Sequence, residues 1–151
     1  MDKGVYALVL ANSRRSLCIG SLGVREFEAG WHVYVGSALG SGGLARAERH
    51  IRLHSLRDRP PRWHIDHLLI DPGFTLSVVV CAPTLRDWEC DLARQIGGAA
   101  VPGFGCSDCT CSSHLFYRPK NPLREVVTAF EALKLDACIK TIKNERSKDK
   151  V

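Results

Sequence analysis

Trp31-His32-Val33-Tyr34-Val35-Gly36-Ser37-Ala38-Leu39-Gly40-Ser41-Gly42-Gly43-Leu44-Ala45-Arg46-Ala47-Glu48-Arg49-His50 passes from one backbone periodicity to another. Up to Gly36 the residues are aromatic or β-branched. Their alternation predicts a strand with Val33 and Val35 on one face and His32, Tyr34 and Gly36 on the other. A glycine-rich turn follows. From about Gly43 to His54 the spacing predicts a helix whose apolar stripe is Leu44, Ala47 and Ile51. Arg46 and His50 lie four residues apart, so they stack on a neighbouring face of that helix. A strand tyrosine, a flexible turn and a helical Arg/His pair are the parts of one small polar cluster.

Working outward, Gly4 to Ala11 is an apolar run with the character of a strand. Asn12 to Ser16 is a polar turn, Leu17-Cys18-Ile19-Gly20 and Val24 to Phe27 are short pairing segments, and Glu28-Ala29-Gly30 turns the chain back. On the other side, Arg57-Asp58-Arg59-Pro60-Pro61-Arg62 is a basic loop broken by proline. Trp63 to Ile70 carries a helical stripe of Ile65, Leu68 and Leu69, ended by Asp71-Pro72-Gly73. Phe74 to Cys81 reads as a buried strand. Thr84, with Asp87 three residues on, predicts a capping box. The helix it opens has the stripe Leu85, Trp88, Leu92 and Ile96, and Gly97-Gly98 stops it. Ala99 to Ser113 is a loop, and Leu115-Phe116-Tyr117 is a short strand. Asn121-Pro122 opens a last helix, running to about residue 139 through Leu123, Val126, Val127, Phe130, Leu133 and Ala137. The tail from Lys140 is expected to fray. The fold class that follows is α/β in the α+β sense, with helices flanking a small central antiparallel sheet of about three main strands.

With 151 residues, the chain can build one real core but not two comfortable ones. The formal charge of +5 comes from 21 basic side chains, of which arginine is the majority. Arginine forks onto phosphate, so a polyanionic partner suits this composition, as does a basic protein with no nucleic-acid role. No apolar run is long enough to cross a membrane, and no secretory signal is visible at the start. Seven cysteines, with Cys106, Cys109 and Cys111 crowded together, make a poor disulfide framework. Reduced thiols and a cytoplasmic location are the expectation.

Several groups are candidates for chemistry. If the first two long strands pair, Tyr6 and Tyr34 share a sheet face and reach Arg46 and His50. A tyrosine beside a cation loses its proton more readily and can activate water, while Arg46 neutralises phosphoryl oxygens. The alternative is a pair of half-buried sheet aromatics beside a solvated arginine. Glu89 adjoins the buried stripe of its helix and needs a partner, either a basic side chain or a hard cation such as Mg²⁺ or Mn²⁺. Cys106, Cys109, Cys111 and His114 have the ligand types of a structural Zn²⁺ site, or else form a tight loop of reduced thiols. His64, Asp66, Asp108 and His114 are possible cleft or substrate contacts. Arg57, Arg59 and Arg62 are either phosphate contacts or a solvated basic loop.

In their order and spacing these residues resemble the GIY-YIG nuclease superfamily. Gly4-Val5-Tyr6 is similar to its first signature and Tyr34-Val35-Gly36 to its second. Arg46 and His50 are similar to its arginine and following histidine, and Glu89 to its metal-binding glutamate. The resemblance spans roughly residues 3 to 96. Tyr34-Val35-Gly36-Ser37-Ala38, Trp63-His64-Ile65-Asp66 and the segments Gly103-Phe104-Gly105 and Ser113-His114-Leu115-Phe116-Tyr117 resemble a branch of small stand-alone prokaryotic, largely archaeal, proteins sometimes joined to DNA-repair domains. They extend the match to about residue 119. The implied organisation is a nuclease domain over 1–119, with a C-terminal helix and charged tail over 120–151 packed on it or extending it. The implied activity is divalent-metal-dependent cleavage of DNA phosphodiesters, with Glu89 holding Mg²⁺ or Mn²⁺, Tyr6 or Tyr34 preparing the water, Arg46 stabilising the phosphorane and His50 assisting proton transfer. DNA and DNA-repair proteins are the implied partners. Two other readings stay open: a non-catalytic nucleic-acid-binding module that keeps the fold, and a zinc-stabilised protein-interaction domain.

Overall fold

Strand β1 (Gly4–Asn12) is apolar along most of its length because helices cover both faces of the sheet it centres. The computed structural model describes residues 2–105 and 111–142. Along them run β1, β2 (Arg15–Cys18), β3 (Val24–Phe27), β4 (Gly30–Ala38), α1 (Ala45–Leu56), α2 (His64–Leu69), β5 (Phe74–Pro83), α3 (Glu89–Ile96), β6 (Leu115–Arg118), α4 (Leu123–Ala132) and β7 (Cys138–Thr141). The main sheet has five strands in the order β6-β4-β1-β5-β7, and every pairing in it is antiparallel. The expected three main strands are its centre, β4-β1-β5, and two short edge strands widen it. Strands β2 and β3 form a separate hairpin.

The alternation of side chains divides the core in two. Val5, Ala7 and Val9 of β1, with Val33 and Val35 of β4, pack against Leu92 and Ile96 of α3 and Val126 and Phe130 of α4. Tyr6, Leu8 and Leu10 face the opposite way, toward Ala47 of α1, Ile65, Leu68 and Leu69 of α2, and Phe27 of the hairpin. The chain beyond residue 120 contributes α4 to the first core and β7 to the sheet. Among the described residues no helix is long and apolar enough to cross a membrane.

Three elements differ from the sequence-based expectation. The helix expected from Thr84 begins only at Glu89. Thr84 Oγ1 accepts the amide of Arg86, and Asp87 Oδ1 accepts the amide of Glu89. Each side chain closes a local turn instead of capping one continuous helix. Leu85, assigned to the core stripe, is 84% exposed. At the far end, α4 stops at Ala132 and the chain turns through Lys134 at φ 60°. The residues expected to fray around Lys140 instead pair as β7 with Val78 to Cys81 of β5.

Candidate functional site

The two tyrosines are brought together by strand register. In the β1–β4 pairing Tyr6 lies opposite Gly36 and Leu8 opposite Tyr34, so the two tyrosines are diagonal neighbours on one face. Gly36 is required by this arrangement. A Cβ there would overlap Cζ, Cε2 and Oη of Tyr6, whose ring lies across the bare backbone. Beyond β4, Gly42 and Gly43 adopt φ values of 89° and 55°, the left-handed region that glycine enters without a Cβ penalty. That turn feeds α1, which lies over the same face.

His50, buried one helical turn beyond Arg46, is the hub of the site. Its Nε2 is 2.7 Å from Tyr6 Oη. The edges and faces of Tyr34 and Trp63 close around it, each with its ring centroid 6.4 Å away. Burial holds the imidazole down at about 4, so it is neutral near pH 7. Burial also raises the Tyr6 phenol well above its ordinary value, and the neighbouring Tyr34 adds to this, while Arg46 pulls the other way. Tyr6 is therefore a neutral hydrogen-bonding phenol. At Tyr6, burial outweighs the nearby guanidinium. Tyr34 is only half-buried, with its ring edge-on to Phe104.

Arg46 donates from Nη1 to the carbonyl of Ser37 at 3.1 Å, and its guanidinium carbon lies 5.4 Å from the Trp63 ring centroid. Backbone on one side and an aromatic face on the other fix the direction of its remaining N–H groups. Asp66 explains why Trp63 is there. Its buried carboxylate accepts the amides of Arg62 and Trp63, capping α2 and pinning the approach to it. Asp66 is thus engaged in holding backbone. His64 is engaged likewise, accepting the Gly105 amide on Nδ1 at 2.8 Å.

Glu89 opens α3, where the helix dipole favours a carboxylate. The strand end after β5 delivers it near the tyrosines, and its charge, with that of Asp66, further raises the Tyr6 phenol. One carboxylate is a donor of the kind that Mg²⁺ and Mn²⁺ accept, with waters completing the shell. Glu89 Oε1 also lies 3.7 Å from Nδ1 of His114. His114 is buried and held by main chain on both sides: its amide donates to Phe104, and its carbonyl accepts from Val35 of β4. Tyr6 and Tyr34 thus both meet His50, and the charges of Arg46 and Glu89 both act on the Tyr6 phenol.

The cysteine loop differs from expectation. Cys111 is disulfide-bonded to Cys90, in the first turn of α3, so it is not a thiolate beside Cys106 and Cys109 in this state. Cys106, Cys109 and Asp108 lie outside the described residues. The expectation of reduced thiols throughout is corrected by this bridge. Cys90, Cys111 and His114 together form a group that could hold a metal ion, although the two sulfurs are bonded to each other here. Sequence reasoning passed over Cys90. Its signal was local, a thiol beside the candidate metal-binding glutamate, but its partner is 21 residues away.

Next to His50 lies an Arg-rich groove with a cavity of about 670 Å³, lined by Arg49, Arg52, Arg59 and Arg62 together with Asp58 and Asp66, with Trp63 along it. Arg59 and Arg62 come from the basic loop. Arg49 and Arg52 were missed, although Arg46, Arg49 and Arg52 recur every third residue of one helix. Trp63 is 42% exposed, a large aromatic surface beside these cations.

No curated protein and no solved structure matches the chain. A family match covers residues 5–135, from β1 to just past the end of α4, and on that match the chain belongs to the family described as Domain of unknown function DUF123.

Proposed function

We propose that the protein is a divalent-metal-dependent DNA endonuclease of the GIY-YIG type, hydrolysing phosphodiester bonds, with DNA repair as its setting. The observation that carries this reading is the buried Tyr6–His50 hydrogen bond, with Arg46 and Glu89 both near enough to bias the same phenol. Four residue types suited to phosphodiester chemistry come from three elements: Tyr6 from β1, Arg46 and His50 from α1, and Glu89 from α3.

Glu89 would hold Mg²⁺ or Mn²⁺, which supplies positive charge to the scissile phosphate and the leaving oxygen. Arg46, fixed by Ser37 and Trp63, donates to the non-bridging oxygens as negative charge accumulates on them. Tyr34, the more accessible phenol, orients the attacking water. Tyr6 cannot ionise into bulk solvent, so its proton moves only along its bond with His50. The neutral imidazole can take up a proton as the phenol accepts one from the water side. The basic groove gives the DNA backbone a path leading to His50.

A cleavage panel on single-stranded, duplex, flap and branched DNA, with and without Mg²⁺ or Mn²⁺, tests this reading. Wild type should cut at least one substrate only when the ion is present. Glu89→Ala should fold normally and lose at least about 100-fold in rate, the scale on which one electrostatic stabiliser acts. Salt-sensitive binding without cleavage in any condition would instead favour the non-catalytic binding module.

A further inference from the structure

The bridge between Cys90 and Cys111 ties the first turn of α3 to the loop before β6. Both sulfurs address one atom. His114 Nε2 lies 3.1 Å from Cys111 Sγ and 3.7 Å from Cys90 Sγ, and all the donor atoms lie within 4.8 Å of one another. A disulfide has no need of an imidazole nitrogen aimed at both of its sulfurs. A tetrahedral zinc ion has such a need. With Zn–S near 2.3 Å and Zn–N near 2.0 Å, its nitrogen and sulfur ligands sit about 3.5 Å apart. The two observed distances bracket that value, so the nitrogen–sulfur edges already have the lengths of a metal site. Only the sulfur–sulfur edge is closed, by the covalent bond. Glu89 approaches the opposite ring nitrogen at 3.7 Å, the side from which a carboxylate orients a metal-bound histidine.

We infer that Cys90, Cys111 and His114 form a site with two mutually exclusive states: a disulfide when oxidised, and a three-ligand zinc site, completed by water, when reduced. A dithiol reductant opens it by thiol–disulfide exchange. Two electrons and two protons pass to the Cys90–Cys111 pair, the S–S bond breaks, and the reductant leaves as a disulfide. The two thiols release their protons to solvent as the cation binds. In the reverse direction, an oxidant of the disulfide class takes two electrons from the two thiolates and two protons from solvent, leaving as a dithiol while the S–S bond re-forms and the cation departs. The inference rests on the geometry of Cys90, Cys111 and His114, with Glu89 beside the ring, and stands apart from the nuclease reading. It does place a redox-dependent ligand set directly beside Glu89.

The test uses the full chain, either oxidised or reduced with a dithiol that is then removed under argon. Each form is titrated with Co²⁺, read by thiolate charge-transfer and tetrahedral d–d absorption, and then with Zn²⁺ against a chromophoric chelator. The reduced chain should bind one equivalent with a two-thiolate tetrahedral spectrum, and the oxidised chain should show no such spectrum. Cys90→Ser should abolish the stoichiometric site, whereas Cys106→Ser and Cys109→Ser should keep it. Glu89→Gln should weaken the reduced site by about 10-fold or more through loss of the orienting carboxylate. In wild type, Zn²⁺ should shield Cys90 and Cys111 from alkylation, read by mass spectrometry, a readout that does not depend on any variant folding. Equal binding by the oxidised and reduced chains, or no tetrahedral spectrum after reduction, would overturn the inference. So would loss of the site in Cys109→Ser with retention in Cys90→Ser, since that pattern places the metal among the crowded thiols instead.

Discussion

Two buried histidines, His32 and His50, behave alike although only one belongs to the site. His32 shares a 2.8 Å hydrogen bond with Asn12 Oδ1 and is packed among Phe27, Phe74 and Tyr117. Burial holds both imidazoles at about 4, against an ordinary value of 6.5. Between those two pH values the unfolded chain binds more protons than the folded one, so stability falls as pH drops. The contribution is fully present above 6.5 and is lost as pH approaches 4, with an upper limit of about 3 kcal/mol for each histidine. Denaturant midpoints measured from pH 7 to pH 4 should fall through this window, and His32→Gln should flatten the slope without touching the Tyr6–His50 pair. The same neutrality at His50 is what lets it receive a proton in the proposed reaction. Tyr6 was identifiable as a candidate from its place after Gly4, but the direction of its titration was not. That direction depends on the closure of α1 over β1, which no local sequence feature encodes.

At the scale of elements, what sequence revealed depended on how much apolar surface each element buries. Strand β1 and the central part of β5 bury nearly every residue and are legible as apolar runs. Strand β7 is exposed at all four positions, so it has no burial pattern to read and is held by backbone pairing with β5. The start of α3 was misplaced for a different reason. A threonine followed by an aspartate at the right interval signals a capping box, yet the same side chains close short turns when the chain has not begun to coil. The two starting points make different demands on Leu85 and Leu92. Leu92 is fully buried against β1 and β4, whereas Leu85 lies out in solvent. Leu92→Ala should cost about 2–5 kcal/mol in chemical denaturation, and Leu85→Ser should change stability by less than about 0.5 kcal/mol. A comparable loss for both would place Leu85 back in a continuous core stripe.

Across the whole molecule, the candidate site depends on contributions far apart in the chain: β1, the end of β4, α1, the start of α3 and the loop before β6. Register places the tyrosines, Gly36 lets the Tyr6 ring lie on the sheet, and α1 brings Arg46 and His50 down onto it. The set of residues could be suspected from order and spacing alone. Their convergence, the Cys90–Cys111 bridge and the basic groove could not, because each joins segments that only the tertiary fold brings together. In the proposed reaction this groove carries the DNA strand, and the Tyr6–His50 bond carries the proton. The most direct test of that claim is the single-turnover cleavage rate of Tyr6→Phe relative to wild type, on the substrate wild type cuts best, with Mg²⁺ at pH 7. The substitution removes one oxygen from a buried ring and leaves the packing volume nearly unchanged. The expected result is a folded protein that binds the same DNA but cleaves it at least about 100-fold more slowly, as loss of a positioned proton-transfer group requires. A Tyr6→Phe protein that cleaves at the wild-type rate would contradict the account.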